Sequence, residues 1–473
     1  MQSTGDKIEK SNIFKNCGEF FGTILATKII FVLALILRFV AFLFANPAIN
    51  QHDVLLRFGH FDYAMYLFKY AKLPQTVYYE FRQPPINAAL QALVMRFISL
   101  FKDYGENYLD LYSHTKILSL IYSIITIIII YKILKEFDIP QIMRNFIFAV
   151  MSFYPGLIIM TTQYSNDPIS YMFFYMSLWL TIKWCKNKKL STIILLALSI
   201  GIGMLTKISV GLIAFITGPM MLIIFIRSLV GASSTNAPNP VGASNASPRT
   251  IMLQLVIFAF IVFPIGLSYS IRNLIYFDVK FGEIFEVAGE TLMAMRYWKW
   301  TFADRFLSFP ISRIVELDNS IFNELPQSAN TLLKTVPTTA SGIYHSFVEY
   351  NIWIDYFKTA SFDEFNFGNT IWHTLCVLIY ILNYIFHIFG LGTMVLNIKD
   401  AIKSLKSMGK DYKDPIFNIR ILSIMQFALA LVAYVGFNYK YQYSCNSNYR
   451  YIAYITFALA ISIGIKCLQK GIK

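Results

Sequence analysis

One stretch separates two apolar segments of the chain and holds a density of charge and histidine that its neighbours lack: residues 51–85, QHDVLLRFGHFDYAMYLFKYAKLPQTVYYEFRQPP. Within it, Asp53 follows His52 only a few residues beyond the end of the first apolar segment. The stretch closes on a Pro-Pro pair, after which a new apolar run begins. An ionisable group at the border of a membrane helix is costly, so this carboxylate requires a structural or a functional reason.

The composition of the chain is that of a membrane protein. Of its 473 residues, 56% are hydrophobic and only 14% are charged, whereas soluble domains carry about 25% charged residues. The aromatic content of 16% suits a protein with long borders to lipid, where aromatic rings lie at headgroup depth. The five cysteines are scattered, so neither a disulfide framework nor a zinc site is indicated.

We predict an all-α integral membrane protein with about ten spanning helices, since one span needs about 20 apolar residues. The predicted spans are 22–45, 114–134, 145–163, 168–185, 190–207, 209–228, 251–275, 370–397, 420–438 and 449–467. They divide the chain into four parts. These parts are a cytoplasmic tail (1–21), a transmembrane catalytic core (22–275) with an outer loop at 46–113, a large outer loop (276–369) and C-terminal transmembrane helices (370–473).

The first outer loop contains an amphipathic segment after the Pro-Pro pair. From Ile86 to Phe101, apolar residues recur at i, i+3 and i+4, while Asn87, Gln91 and Arg96 fall on the other side. The segment is short for a span, so we expect a helix that lies in the membrane interface.

The distribution of basic residues predicts the orientation. Two short loops are rich in Lys and Arg: one holds Lys183, Lys186, Lys188 and Lys189, and the other Lys399, Lys403, Lys406, Lys410, Lys413 and Arg420. Since cytoplasmic loops carry an excess of basic residues, both loops and both termini are expected in the cytoplasm. The compartment is the plasma membrane or the endoplasmic reticulum. Topology then explains the net charge of +14 without nucleic acid.

Three carboxylates are candidates for chemistry. Asp53 is either the N-cap of a helix that starts near Val54 or a general base that takes a proton from an acceptor hydroxyl. His52 is a ligand, a proton partner or an ordinary loop histidine. Asp167, in the turn Asn166-Asp167-Pro168, either caps the next helix or faces the same outer cavity. Glu80 lies at the junction between loop and helix, and whether it also faces a substrate stays open.

The candidate binding residues are mostly cations. Lys207 lies at the predicted outer end of the fifth span, where it either snorkels to headgroups or pairs with an anionic ligand. Arg272 and Arg450 lie at the outer ends of later spans, and Arg82 and Gln83 precede the Pro-Pro pair. Arg suits phosphate because its planar guanidinium donates two hydrogen bonds at once. Carboxylates and cations on one membrane face fit a phosphate-bearing lipid substrate that is attacked by a hydroxyl.

The stretch at 51–85 resembles the first outer loop of GT-C-fold membrane glycosyltransferases of family 39 type, the protein O-mannosyltransferase and aminoarabinose transferase superfamily. The segments SNDPISYMFFYMSLWL, LTKISVGLIAF, SIRNLIYF and CNSNYRYIAY follow in the order such proteins show. Where many relatives have His before the Pro-Pro pair, this chain has Gln83.

The resemblance implies a polyprenyl-phosphate-linked sugar, dolichyl or undecaprenyl, as donor and transfer on the outer or lumenal face. It implies that Asp53 is the catalytic base, that Asp167 is the acidic position of the second loop, and that Lys207 and Arg450 bind the lipid phosphate. The acceptor is a protein, a lipid or a glycan. No cofactor is predicted, because the spacing of the carboxylates and histidine is not diagnostic of a divalent metal.

The rival class is a polytopic lipid or solute transporter, or a flippase. Such a protein would place polar groups near the bilayer midplane and interrupt paired helices in two related halves. The predicted spans carry few charges, and the second half shows no repeat of the first.

Overall fold

The computed structural model describes residues 18–44, 58–104, 108–233, 247–280, 302–309, 311, 351–359, 371–406, 415–440 and 449–469. The regular structure in these residues is helical throughout, which confirms the all-α prediction. Seven of the described helices are long and apolar enough to cross a membrane by length and composition.

The helices follow the predicted spans closely. They are α1 (Ile24–Phe44), α2 (His60–Tyr70), α3 (Ile86–Ser99), α4 (Tyr108–Thr115), α5 (Ile117–Lys135), α6 (Gln141–Phe153), α7 (Pro155–Ile159), α8 (Asp167–Asn187), α9 (Leu190–Met204), α10 (Ala214–Ser233), α11 (Pro248–Phe277), α12 (Ile352–Ile354), α13 (Ile371–Lys406), α14 (Pro415–Lys440) and α15 (Tyr449–Gln469). Short 3₁₀ turns at Tyr79–Arg82 and Ile208–Ile213, and π-helical turns at Ala303–Leu307 and Asp355–Thr359, complete the described structure.

One predicted span is wrong in its detail. The segment 145–163 is not a single helix, because α6 ends at Phe153 and α7 begins at Pro155. Proline has no N–H to donate, and its ring collides with the carbonyl four residues earlier, so it is tolerated only in a first turn. The helix therefore stops before Pro155 and restarts with this proline as its first residue.

The described chain divides into two compact units. The first unit comprises Phe20–Phe148 and Met160–Glu286, and the second comprises Met1–Glu19, Ala149–Ile159 and Val287–Lys473.

In the first unit, α9 packs closely against α8 and α11. Glycines permit the approach to α11: a Cβ on Gly201 would lie 3.1 Å from the side chain of Ile265, and one on Gly266 would lie 2.7 Å from Met204 Sδ. Small residues at such positions let membrane helices come close enough for dense packing. The contact fixes the end of α9, and with it Lys207, relative to α11.

Helices α2 and α3 and the 3₁₀ turn at Tyr79–Arg82 form a separate apolar cluster in the first unit. Its buried members include Tyr63, Phe81, Ala92 and Met95. Helix α3 turns its polar side inward, since Asn87 and Gln91 are buried, while Leu93, Phe97, Leu100 and Phe101 are exposed. The predicted amphipathic helix is thus present, with its apolar side directed away from the protein.

In the second unit, α15 is the central helix. Most of its side chains are buried, and it packs against α13 and α14. Polar contacts reinforce the packing: Asn397 Nδ2 donates to the backbone oxygen of Ser462 over 2.9 Å, and Gln426 Nε2 donates to the backbone oxygen of Tyr454 over 3.2 Å. A helix that is apolar on all sides is buried on all sides. The sequence of α15 therefore fits its central position between α13 and α14.

Candidate functional site

The Pro-Pro pair brings the loop after α2 against the end of α9. Helix α3 begins directly after Pro85, and the backbone N–H of Ile86 donates to the carbonyl oxygen of Leu205 over 3.1 Å. This bond joins the start of α3 to the end of α9 across a long sequence separation. It places the Arg82–Pro84 segment beside Lys207.

Lys207 and Asp167 form a buried ion pair. The Lys207 ammonium lies 2.7 Å from Asp167 Oδ1, and the two residues are only 7% and 3% exposed. Asp167 is the first residue of α8, where the helix dipole favours a negative charge. The carboxylate that the sequence offered either as a cap or as a cavity residue therefore holds the lysine in place.

Two side-chain amides join the Pro-Pro segment to the turn before α8. Asn166 Nδ2 donates to Gln83 Oε1 over 2.9 Å, and Asn87 Nδ2 donates to the backbone oxygen of Ser165 over 2.9 Å. All four residues are buried, and buried polar groups need such partners. Gln83 is thereby a structural link between two candidate segments.

The C-terminal end of α11 contacts the same region. Tyr269 Oη donates to the carbonyl oxygen of Phe81 over 2.8 Å, and Asn273 Nδ2 donates to that of Arg82 over 2.9 Å. Arg272 donates to the backbone oxygen of Pro74 and, over 3.0 Å, to Asn273 Oδ1. Arg272 thus contacts the loop through one hydrogen bond to its backbone.

These contacts border an open pocket whose space, with the adjoining solvent included, amounts to about 430 Å³. Its lining residues are Arg82, Gln83, Pro84, Lys207, Ile208, Tyr269, Ser270, Asn273, Val279 and Lys280. Among the residues that the structure describes, those that line the pocket include three cations and no carboxylate. Since Asp167 balances the charge of Lys207, the excess positive charge comes from Arg82 and Lys280. Guanidinium and ammonium groups beside amide and hydroxyl donors suit an anionic oxygen group.

The Glu80 carboxylate contacts a histidine outside the pocket lining. Its Oε2 lies 3.3 Å from His60 Nδ1, and Glu80 is 1% exposed. Neither residue is part of the pocket lining. His60 was missed by sequence reasoning, because only the packing of α2 on the 3₁₀ turn places it beside a glutamate that lies far along the chain.

Three further candidates are each described by themselves or lie outside the described residues. Arg450 belongs to the second unit, is 1% exposed and lies over the ring of Tyr451 at 4.6 Å. Asp53 and His52 lie outside the described residues. Among the residues that the structure covers, no group of three or more His, Cys, Asp and Glu is placed to hold a metal ion.

Residues 82–234 match the family model described as dolichyl-phosphate-mannose-protein mannosyltransferase. This part of the chain is mannosyltransferase-like. The match confirms the resemblance to membrane glycosyltransferases of the GT-C type. The mannosyltransferase-like segment contains Arg82, Gln83, Asp167 and Lys207, whereas α11 (Pro248–Phe277) lies beyond it.

One solved structure with detectable likeness is the crystal structure of ArnT from Cupriavidus metallidurans in the apo state. It is 11% identical, with 92% of this chain and 76% of that chain covered, at a TM-score of 0.35. A likeness at that level gives no residue-by-residue correspondence. No curated protein sequence matches the chain.

Proposed function

We propose that the protein transfers a sugar from a polyprenyl-phosphate-linked donor to an acceptor hydroxyl on the outer or lumenal membrane face. The observation that carries the proposal is the pocket formed by Arg82, Lys207 and Lys280 in the first unit, whose basic lining suits a phosphate group. The match to the mannosyltransferase family over residues 82–234 supports the reaction class.

In the proposed reaction, the acceptor oxygen attacks the anomeric carbon as the bond from that carbon to the phosphate oxygen breaks. Asp53 takes the proton of the hydroxyl, and the polyprenyl phosphate leaves with the bonding electron pair, so the anomeric configuration inverts. Because a phosphate is a good leaving group, no general acid is required. The charge on the leaving group is stabilised by donors that are already oriented before the reaction.

In this proposal the donors are the basic side chains that line the pocket. Arg82 and Lys280 supply positive charge that no carboxylate among the described lining residues neutralises, while Lys207, which also lines the pocket, is paired with Asp167. We therefore propose Asp167 as the residue that orients Lys207, and Glu80 with His60 as support for the turn that carries Arg82. Arg272 acts through the loop backbone. His52 and Gln83 remain proposed binding residues, and Arg450 a proposed second cation for the lipid phosphate.

The first experiment is transfer of a radiolabelled sugar from dolichyl or undecaprenyl phosphate in membranes that contain the full chain. We expect wild type to release label from the lipid, and Asp53→Asn to lose activity by about 10²-fold or more, as expected when a general base is removed. The matched control is Asp278→Asn, an exposed carboxylate at the end of α11, which should keep wild-type activity.

Equal transfer by wild type and Asp53→Asn would retain the enzyme and discard Asp53 as its base. If neither protein released label from any donor across several sugars, the proposed reaction would be wrong. A flippase would then be the next class to test.

A further inference from the structure

Two side chains on one side of α11 hold the turn that carries Arg82. Tyr269 and Asn273 are four residues apart, so they lie one above the other on the helix. They bond the carbonyl oxygens of two consecutive residues, Phe81 and Arg82, over 2.8 and 2.9 Å. The helix thereby contacts the turn at two adjacent points.

The turn requires such support for two reasons. The last carbonyls of a helical turn have no partner within the turn itself, and Phe81 is 4% exposed, which limits access to water. In addition, Tyr79 at the start of the turn has φ of 49°. A bulky residue in this left-handed region costs free energy and persists only where surrounding contacts impose it.

A second hydrogen-bond donor determines how Tyr269 and Asn273 each use their own donor group. Tyr63 Oη lies 3.0 Å from Tyr269 Oη, and because Tyr269 donates its proton to Phe81, Tyr63 is the donor of this second bond. Burial, together with the adjacent Tyr269, raises the pKa of Tyr63 well above its ordinary value, so its hydroxyl keeps its proton. In the same way Arg272 donates to Asn273 Oδ1, which leaves the Asn273 amide nitrogen for Arg82.

We propose that Tyr269 and Asn273 are positioning residues that hold the Arg82–Gln83 backbone against the pocket and so fix the Arg82 guanidinium for the donor phosphate. This inference rests on the proposed function. The two donor chains, Tyr63 to Tyr269 to Phe81 and Arg272 to Asn273 to Arg82, converge on one turn and lie in the first unit. Both positioning residues also line the pocket.

The test is the affinity of the full-length purified protein for undecaprenyl phosphate and dolichyl phosphate. Tyr269→Phe and Asn273→Leu each remove one hydrogen bond while roughly keeping side-chain volume. Each should weaken lipid phosphate binding by about fivefold to tenfold, the effect of one hydrogen bond of about 1 kcal/mol. The matched control is Tyr276→Phe on the same helix, where the side chain is 75% exposed and binding should be unchanged.

A double-substitution series separates positioning from general stability. If Tyr269 and Asn273 act through Arg82, neither substitution should weaken binding further once Arg82→Ala is present, because coupled residues do not give additive effects. In the transfer assay, KM for the donor should rise more than kcat falls. If Asn273→Leu does not fold, Tyr269→Phe carries the same comparison.

The inference would be overturned if Tyr269→Phe and Asn273→Leu lowered the affinity for lipid phosphate by the same factor with and without Arg82→Ala. Wild-type affinity in both single variants would overturn it as well. Failure of the wild-type protein to bind either lipid phosphate would instead contradict the proposed function. The two results are therefore distinguishable in one set of measurements.

Discussion

At the scale of single residues, the Lys207–Asp167 pair is the strongest electrostatic feature of the candidate site. Its two side chains are 9% and 4% exposed and meet at 2.7 Å. Removal of one member of a buried ion pair takes the counter-ion away from the other, which stays charged inside the protein, and this costs about 3–5 kcal/mol. We expect Lys207→Met and Asp167→Leu each to lower the free energy of unfolding by that order, measured by thermal or denaturant unfolding in detergent.

The double variant Lys207→Met/Asp167→Leu should recover much of this loss, because no isolated charge remains. The matched control is the pair Lys102–Asp110, which spans 3.4 Å with side chains that are 55% and 48% exposed. An exposed pair contributes about 0–1 kcal/mol, so Lys102→Met should have little effect. A double variant as unstable as the sum of the two single variants would contradict the buried-pair argument.

The sequence predicts candidate residues of the site but not the contacts between them. Sequence order and residue type made Asp167 and Lys207 candidates, because ionisable groups in or beside membrane spans are costly. Their partners could not be predicted in the same way. The bond from Asn273 to Arg82 and the contact of His60 with Glu80 depend on how distant elements pack, and no local pattern encodes that packing.

At the scale of elements, α3 shows how far periodicity can predict. The spacing of its apolar residues predicted both the helix and its two sides, and the structure has Asn87 and Gln91 buried with Leu93 and Phe97 about 60% exposed. The burial of polar residues follows from a tertiary contact, the bond from Asn87 to Ser165. By contrast, the break before Pro155 was present in the sequence but concealed within a long apolar run.

We expect the exposed apolar side of α3 to lie in the membrane interface. A fluorophore on Phe97→Cys should show blue-shifted emission and strong quenching by nitroxide-labelled lipids, since Phe97 is 62% exposed and belongs to the apolar side. The comparison position is Arg96→Cys, also exposed but on the polar side predicted from the sequence. Both variants are made in a chain without native cysteines. Equal quenching at the two positions would contradict an interfacial orientation.

At the scale of the whole molecule, the hydropathy of the chain predicted where the long helices of the described residues lie, because about 20 apolar residues are needed for one span. Seven described helices meet that length and composition directly. Helices α8 and α9 do not, since α8 carries several polar residues and α9 has only 15 residues. Their near-complete burial on the inner sides of the first unit explains how they fit: they contact other helices more than lipid.

Orientation in the membrane remains a prediction from charge, and it is tested most directly in the first unit. The last turn of α8 contains Lys186, and the turn between α8 and α9 contains Lys188 and Lys189, so the positive-inside rule predicts that this end lies in the cytoplasm. Lys72, in the loop after α2, belongs to the predicted outer loop and is exposed. With a chain that lacks native cysteines in the plasma membrane of intact cells, Lys72→Cys should react with a membrane-impermeant maleimide.

Lys189→Cys is the matched position, because it is also an exposed lysine in a loop. It should react only after the membrane is permeabilised. The opposite pattern would invert the topology and move the basic pocket beside Lys207 to the cytoplasmic face, where the proposed transfer on the outer or lumenal face would not be feasible. Labelling of both positions in intact cells would mean that the two loops share one side, which an odd number of spans between residues 72 and 189 does not allow.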